Sequence, residues 1–352
     1  MKRPLAAFLA ASILTLSLPA SAALTTLSNL FVFGDSLSDG GNSGLLTQSL
    51  LPPNGFPPPP YAGGRYSNGP VAVEYLWQSY HPGSTSFTPS LAGGTNYAIG
   101  GATTGVVNFN SINSNVPPPL QPSFNNLGLA SQLAQFQAFV AGGGTFNPAT
   151  SLFVVWAFPN DVFWALQTGQ LPDHPGVPAT PAALVTQGVQ NIVGSIALLA
   201  SLGAEHFLVP NMADLGETPF GLAQGPGGSA MLTGLTEGFN GALGGALSAL
   251  PTLDIVQFDT FGAFRELRDN PAAFGFTNAT QACVQNPATC DPNTWVFWDQ
   301  LHPTTATHRI LGTEFAAAVP EPSTIVLVAT LLLLMGVAVR MRRTPRCRWP
   351  AR

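Results

Sequence analysis

Residues 30–42 read Leu-Phe-Val-Phe-Gly-Asp-Ser-Leu-Ser-Asp-Gly-Gly-Asn, an apolar run that passes directly into a turn rich in glycine, serine and aspartate. Four consecutive apolar residues without polar alternation are typical of a strand buried on both faces of a parallel sheet. Residues that follow such a strand lie at its carboxyl end, where open α/β sheets bind their ligands. The stretch therefore predicts an α/β fold with Ser36 at the ligand-binding edge.

Two interpretations of the Ser36 turn stay open at this point. If a helix begins just after the turn, the Ser36 oxygen lies near the positive end of that helix, which favours negative charge. Gly34 would let the backbone turn tightly and leave room for a substrate. A turn rich in serine and aspartate between a strand and a helix is, however, often only a helix cap.

The rest of the body repeats the alternation of strands and helices. Short apolar runs at 152–156, 207–209 and 255–258 predict three further buried strands. Apolar positions at helical spacing predict helices over 130–140, 184–202 and 232–250. Residues 52–66 and 106–124 are rich in Pro, Gly, Asn and Ser and are predicted to be loops. Alternating strands and helices favour one layered α/β domain over residues 23–318.

A second chemical motif lies near the end of the body. Residues 298–304 read Trp-Asp-Gln-Leu-His-Pro-Thr, so that His302 follows Asp299 by three positions. A carboxylate so placed can orient the imidazole and leave its other nitrogen free to take a proton from a serine. A metal site is the rival use of this pair, although the sequence clusters no further ligands with it.

Two more candidates supply hydrogen-bond donors. Residues 96–103 contain Gly101, whose backbone N–H is bare of any side chain, and Asn160 follows the predicted strand at 152–156. A serine esterase needs donors aimed at the oxyanion of its tetrahedral intermediate. The backbone N–H groups of Ser36 and Gly101 and the Asn160 amide would supply three.

The chain resembles the GDSL lipase/esterase family, the SGNH hydrolases, because four motifs follow the order of that family's four blocks. They are Phe-Gly-Asp-Ser-Leu-Ser-Asp-Gly-Gly-Asn at 33–42, Asn-Tyr-Ala-Ile-Gly-Gly-Ala at 96–102, Pro-Asn-Asp at 159–161 and Asp-Gln-Leu-His-Pro-Thr at 299–304. Residues 64–70, Gly-Arg-Tyr-Ser-Asn-Gly-Pro, are also similar to the family. The resemblance covers residues 30–315, almost the whole body.

The resemblance implies a three-layer α/β/α sandwich with a parallel sheet, similar to flavodoxin. It implies Ser36 as nucleophile, Asp299 and His302 as the orienting acid and the base, and an oxyanion hole formed by Ser36, Gly101 and Asn160. It implies no metal and no cofactor. One departure is Phe158, which stands two residues before Asn160 where the family usually has glycine. A bulky ring there is expected to narrow the pocket or to shift the asparagine.

Other polar residues near these motifs are expected to be structural. Asp39 and Asn42 are predicted to fix the loop after Ser36, and Asp161 to hold the turn of Asn160. Arg65 is open between a substrate contact and a structural salt bridge. His308, in a helical stretch, is expected to lie on the surface or behind the catalytic residues.

Both ends of the chain carry targeting features. Residues 1–22 combine a basic start, an apolar run and a small-residue site, which predicts a secretory signal peptide; a buried N-terminal helix is the alternative. Residues 319–352 contain Pro-Glu-Pro, an apolar helix at 325–339 and an arginine-rich tail, and resemble the PEP-CTERM sorting signal. That resemblance implies transient anchoring in the inner membrane, cleavage by a sorting protease of the exosortase type, and release to the cell surface or extracellular matrix. A plain membrane anchor is the alternative.

Charge and cysteine content narrow the partners. Between the predicted signal peptide and tail the chain has 4 arginines, no lysine and 16 acidic residues, a formal charge of −12. Such a field disfavours nucleic acid and suits neutral sugars or uncharged esters. Cys283 and Cys290 flank a short loop, and export would permit a local disulfide between them.

These features together predict a secreted carboxylic ester hydrolase that forms an acyl-enzyme on Ser36. The expected substrates are short acyl esters, including O-acetyl groups on extracellular polysaccharide. Acyl transfer, in which a sugar hydroxyl replaces water, would use the same residues. The alternative from another class is a non-catalytic surface or matrix protein that uses this scaffold for binding. A complete set of five site residues argues against that alternative.

Overall fold

The computed structural model describes residues 24, 26–84 and 87–319. The predicted signal peptide (1–22) and the apolar and basic parts of the predicted sorting signal lie outside these residues. The central sheet consists of four parallel strands in the order β1 (Asn29–Gly34), β2 (Ser151–Trp156), β3 (His206–Pro210) and β4 (Asp254–Phe258). Each predicted strand lies within one of them, and the α/β fold class is confirmed.

An extended segment at 95–99 takes a fifth position beside β1. The Val32 N–H donates to the Thr95 carbonyl over 3.1 Å, and the Tyr97 N–H donates to the Val32 carbonyl over 2.8 Å. The bridge between Val32 and Asn96 is parallel. With this segment counted, the chain order across the sheet is 2-1-3-4-5, the flavodoxin order that the family resemblance implied.

The described part of the chain also contains nine α-helices and a small two-stranded parallel sheet. The helices are α1 (Asn42–Thr47), α2 (Ala72–Tyr80), α3 (Leu129–Ala141), α4 (Pro159–Thr168), α5 (Pro181–Ser201), α6 (Pro219–Ala223), α7 (Gly225–Ser248), α8 (Thr260–Asp269) and α9 (Thr305–Ala318). The small sheet pairs β5 (Asn278–Ala282) with β6 (Trp295–Phe297). The predicted helices at 130–140, 184–202 and 232–250 fall on α3, α5 and α7.

Side chains alternate between the two faces of the sheet along each strand, and helices cover both faces, which gives three layers. Phe31, Phe153 and Phe207 point to one face of the sheet and pack in a cluster with α3, α4, α5 and α7. Val32, Val154 and Leu208, one position further along each strand, point to the other face and pack with α2, α8 and α9. Because both faces are covered by helices, continuous apolar strands are the pattern that this sheet requires.

One of the two predicted loops contains short helical turns. Residues 52–66 contain no helix, but 106–124 include two short 3₁₀ turns, Phe109–Ser111 and Gln121–Phe124. The first is capped by the Asn108 side chain, which accepts a hydrogen bond from the Asn110 N–H over 2.8 Å. A small apolar cluster around the buried Phe124 holds the second against the body.

A buried glutamine ties α3 to the end of β1. The Gln132 side chain accepts from the Gly34 N–H over 2.8 Å and donates to the Gly34 carbonyl over 2.7 Å. The side chain is fully buried. It therefore satisfies both backbone groups of the residue that ends the strand, two positions before Ser36.

We expect Gln132→Ala to lower the free energy of unfolding by about 1–3 kcal/mol, because it leaves a buried N–H unsatisfied and weakens a buried carbonyl's bonding. Urea unfolding followed by circular dichroism measures the change. Gln137→Ala is the control, since Gln137 is exposed on the same helix and should be nearly neutral. Equal stability of the two variants would show that the Gln132 bonds contribute nothing.

Candidate active site

The structure brings Ser36, His302 and Asp299 together at the carboxyl edge of the sheet. Ser36 lies two residues beyond β1, and its Oγ is 2.7 Å from His302 Nε2. On the other side of the ring, His302 Nδ1 is 2.7 Å from Asp299 Oδ2. The three side chains thus form one continuous chain of hydrogen bonds, although Ser36 and His302 are 266 residues apart in sequence.

The Asp299 side chain is fixed by the backbone of the residues that follow it. Its Oδ1 accepts from the Leu301 N–H over 2.8 Å and from the His302 N–H over 2.7 Å. Burial alone would raise the pKa of this carboxyl, but the charge and hydrogen bonds of His302 lower it below the usual value. Asp299 is therefore ionised at neutral pH and faces the imidazole as an oriented carboxylate.

The three predicted donors lie around the same pocket. Ser36, Gly101 and Asn160 all line it. Gly101 has a φ of 82°, and a Cβ there would stand 2.4 Å from Asn108 Oδ1, so only glycine fits. Asn160 lies in the first turn of α4, and its Nδ2 donates to the Ala102 carbonyl over 3.1 Å. This bond holds the amide beside the Gly101 loop and leaves its second hydrogen unused by it.

The pocket holds about 780 Å³ of empty space, including the part open to solvent. Most of its wall is apolar. Phe163, Phe264 and Phe297 come from α4, α8 and β6, and the other apolar residues come from the connecting segments: Leu37, Phe109, Met212, Leu215 and Leu301. The polar part of the wall includes Tyr66, Asn110 and Asn113. Tyr66 and Asn110 are hydrogen bonded to each other over 2.8 Å. Sequence reasoning missed both, because loop residues carry no periodic signal.

Within the described residues, His, Cys, Asp and Glu side chains form no group of three or more that could hold a metal ion. Asp299 and His302 are instead engaged with each other and with Ser36.

A model of the GDSL-like Lipase/Acylhydrolase family matches residues 30–315. The chain belongs to this family. Its activity is therefore the hydrolysis of carboxylic esters.

Individual relatives are similar to the chain over most of its length at 25–28% identity. The chain is 27% identical over 332 residues to acetylajmalan esterase 2 of Rauvolfia serpentina, covering 80% of this chain and 87% of that one. It is 25% identical over 348 residues to phosphatidylcholine-sterol acyltransferase of Aeromonas hydrophila, covering 85% and 92%. A Pseudomonas putida protein from the trpE-trpG intergenic region is 28% identical over 335 residues; the match covers 88% of this chain but only 52% of that protein.

Phe158 packs in the core and does not line the pocket. Phe158 has a φ of 130°, a conformation that residues other than glycine rarely adopt. Its ring is fully buried and stacks on Phe239 of α7, with ring centroids 3.7 Å apart. The expectation that Phe158 narrows the pocket was wrong, since the ring points into the core and does not line the pocket.

Asp39 joins two of the family's motifs. Its carboxylate accepts from the backbone N–H groups of Gly41 and Asn42 over 2.8 and 2.7 Å, and from the Gly100 N–H over 2.9 Å. Asn42 adds a bond from its Nδ2 to the Ala98 carbonyl over 2.9 Å. Both residues therefore fix the loop after Ser36, as predicted, and also bind it to the loop that presents Gly101.

Asp161 bonds a neighbouring loop and not the turn that the sequence predicted. It was expected to hold the turn of Asn160, but its carboxylate accepts from the Thr104 N–H and Oγ1 over 2.9 and 2.6 Å. From the first turn of α4 the side chain reaches the neighbouring loop. It therefore places the Gly101 loop against the helix that carries Asn160.

Arg65 and His308 have structural partners. Arg65 pairs with the buried Glu74 over 2.8 Å, so its salt bridge is structural. His308 is buried, which lowers its pKa to about 3, helped by the charge of His302, and its Nδ1 accepts from the Ala72 N–H over 3.2 Å. The alternative of a surface position for His308 is wrong.

Gly188→Ala should disturb the site through Phe158. A Cβ at Gly188 of α5 would stand 2.4 Å from the Phe158 ring. Overpacking of this kind costs about 1–3 kcal/mol, and a shifted Phe158 displaces Asn160 two residues later, so we expect both stability and kcat to fall. Gly194→Ala on the same helix, where a Cβ meets nothing within 4 Å, is the control for thermal unfolding and ester turnover. Indistinguishable variants would contradict the role given to Phe158.

The Asp35 carboxyl should make stability depend on pH. Burial raises its pKa from 3.8 to about 7, and its Oδ2 has no hydrogen-bond partner among the residues that the structure describes. Between these pH values the folded state binds more protons than the unfolded state, so the free energy of unfolding falls as pH rises. Asp35→Asn should remove up to ~1.4 kcal/mol per pH unit of this decline. Urea unfolding between pH 4 and 7 measures it, with exposed Asp291→Asn as control. A slope unchanged by Asp35→Asn would contradict the prediction.

Proposed function

We propose that this chain is an exported serine esterase in which Ser36 is the nucleophile, His302 the general base and Asp299 its orienting acid. The observation that carries the proposal is the unbroken hydrogen-bond chain from Asp299 through His302 to Ser36, with 2.7 Å at both steps. It ends at a pocket with a mostly apolar wall, which Ser36, Gly101 and Asn160 also line.

In the proposed reaction Ser36 Oγ attacks the ester carbonyl as His302 Nε2 takes its proton. The Asp299 carboxylate stabilises the imidazolium that forms. The N–H groups of Ser36 and Gly101 and the Asn160 amide donate to the oxyanion, where each such donor is typically worth about 100–1000-fold in rate. The alcohol leaves with the proton held by His302. Water, activated by the same imidazole, then releases the acid from Ser36.

The pocket and the charge of the body support a small, uncharged ester as substrate. The wall beside Ser36 is mostly apolar, which suits an acyl group, and the polar residues Asn110 and Asn113 suit the oxygens of a neutral alcohol. The formal charge of −12 in the body disfavours anionic substrates. We therefore propose short acyl esters, including O-acetyl groups on a neutral extracellular sugar.

The terminal sequences support the proposed location. The signal peptide at 1–22 would export the chain, and the segment at 319–352 would hold it at the inner membrane until an exosortase-type protease removes it. The mature enzyme would then reside at the cell surface or in the extracellular matrix.

Acyl transfer is the second candidate function. The observation in its favour is the similarity to the Aeromonas hydrophila protein, whose name is that of an acyltransferase. Chemically, transfer differs only in the final step, where a hydroxyl group replaces water on the acyl-enzyme.

Ser36→Ala should abolish turnover of p-nitrophenyl esters by the mature body, residues 23–318, with a loss of at least about 1000-fold because no other group forms the acyl-enzyme. Ser38→Ala is the matched control. Ser38 lies in the same turn and is buried, but its Oγ has no hydrogen-bond partner within the described part of the chain, so its removal should leave turnover nearly unchanged.

The same assay across acyl lengths and with acetylated glycans tests the substrate class. Release of acetate from the glycans supports the proposal, whereas activity confined to long-chain esters would overturn it. Acylated acceptor in place of free acid, when a sugar is added, would favour transfer. A folded wild type with no turnover and no labelling of Ser36 by an organophosphonate would point to a binding scaffold.

A further inference from the structure

A tyrosine from outside the four family motifs contacts the catalytic carboxylate. The Tyr61 hydroxyl donates to Asp299 Oδ2 over 2.8 Å. This is the same oxygen that faces His302 Nδ1 at 2.7 Å. Tyr61 comes from the proline-rich segment 52–66, which the sequence predicted only as a loop, so this contact links a loop of unassigned role to the proposed reaction.

The hydroxyl completes the bonding of the carboxylate. Oδ1 of Asp299 accepts from the Leu301 and His302 N–H groups, as described above. Oδ2 accepts from Tyr61 and His302, so each oxygen has two donors. Because Tyr61 and His302 share one oxygen, the strength of one bond affects the other.

The Tyr61 ring is held in place by its surroundings. It packs edge-on against Trp298, with ring centroids 6.0 Å apart and planes at 89°. The two rings belong to an apolar cluster with Trp295 and with the disulfide between Cys283 and Cys290. Burial, and then the charge of Asp299, raise the pKa of the Tyr61 hydroxyl well above its usual value, so it stays protonated and remains a donor.

We propose that Tyr61 is a positioning residue for the ester hydrolysis: its hydroxyl fixes the Asp299 carboxylate and weakens the pull of that carboxylate on the imidazolium. The inference rests on the proposed function of Ser36, His302 and Asp299. With part of the Oδ2 charge directed to Tyr61, the carboxylate holds the imidazolium less tightly, which favours proton transfer from His302 to the leaving alcohol.

Other ionisable groups near His302 also affect how strongly its imidazolium form is stabilised. They stay unchanged when only the Tyr61 hydroxyl is removed. Asp35 and His308 interact electrostatically with His302. The Tyr66 ring lies 5.2 Å from the imidazole, and its hydroxyl senses the charge of Asp299. A change in the pH profile of a Tyr61→Phe variant therefore reports on the Tyr61 bond to Asp299.

The test is Tyr61→Phe, which keeps the ring on Trp298 and removes only the donor. We expect kcat to fall about tenfold, since a hydrogen bond to a charged group is lost, with KM nearly unchanged. We also expect the acidic limb of the kcat/KM profile to move to higher pH, because the unshared carboxylate holds the imidazolium more tightly. Both are measured on a short p-nitrophenyl ester between pH 4 and 9.

Tyr75→Phe is the matched control, because it removes a hydrogen bond of the same 2.8 Å length, between the Tyr75 hydroxyl and Thr305 Oγ1. It should leave the acidic limb in place. Wild-type kcat and an unmoved limb in Tyr61→Phe would overturn the proposal, as would an equal shift in both variants. Failure of the proposed function is recognised separately, by turnover that survives Ser36→Ala.

Discussion

Hydrogen bonding on both sides of β1 is the constraint on which the site depends. β1 pairs in parallel with β2 on one side and with the extended segment at 95–99 on the other. Because neighbouring parallel strands end at the same edge of a sheet, the residues that follow them are delivered together. Ser36 follows β1, Gly101 follows the extended segment, and Asn160 follows β2. The parallel pairing of the backbone thus brings to one edge the three residues that supply the nucleophile and the proposed oxyanion donors.

The sequence could predict the features that depend on this parallel pairing. Buried parallel strands have a strong signature, so β1 to β4, the layered fold and the edge that carries Ser36 were all accessible from apolar runs. The partners of individual side chains were less accessible. Asp161 bonds Thr104, which is 57 positions away, and Tyr61 bonds Asp299, which is 238 positions away. Neither residue belongs to a periodic sequence pattern. The sequence therefore does not show which loops contact each other in the folded chain.

The site is held together by carboxyl groups that are costly to bury. Burial raises the pKa of Asp39, and that of Asp35 and Asp161 to about 7. Asp39 and Asp161 offset this cost by accepting hydrogen bonds from the loops that position Gly101. Asp299, by contrast, is kept ionised by His302 and the backbone. One edge of the sheet therefore contains structural carboxyls whose charged form is disfavoured beside a functional carboxylate whose charged form is favoured.

Phe158 shows how packing can hold a strained backbone conformation close to the site. A residue at a φ of 130° carries a strain of about 1–3 kcal/mol unless it is glycine. Here the stack of Phe158 on Phe239 and its burial supply stabilisation of comparable size. The fit also needs a residue without a side chain at 188, where the ring lies. Glycine is therefore required at 188 in α5, and the backbone before Asn160 is held by the packing of the Phe158 ring.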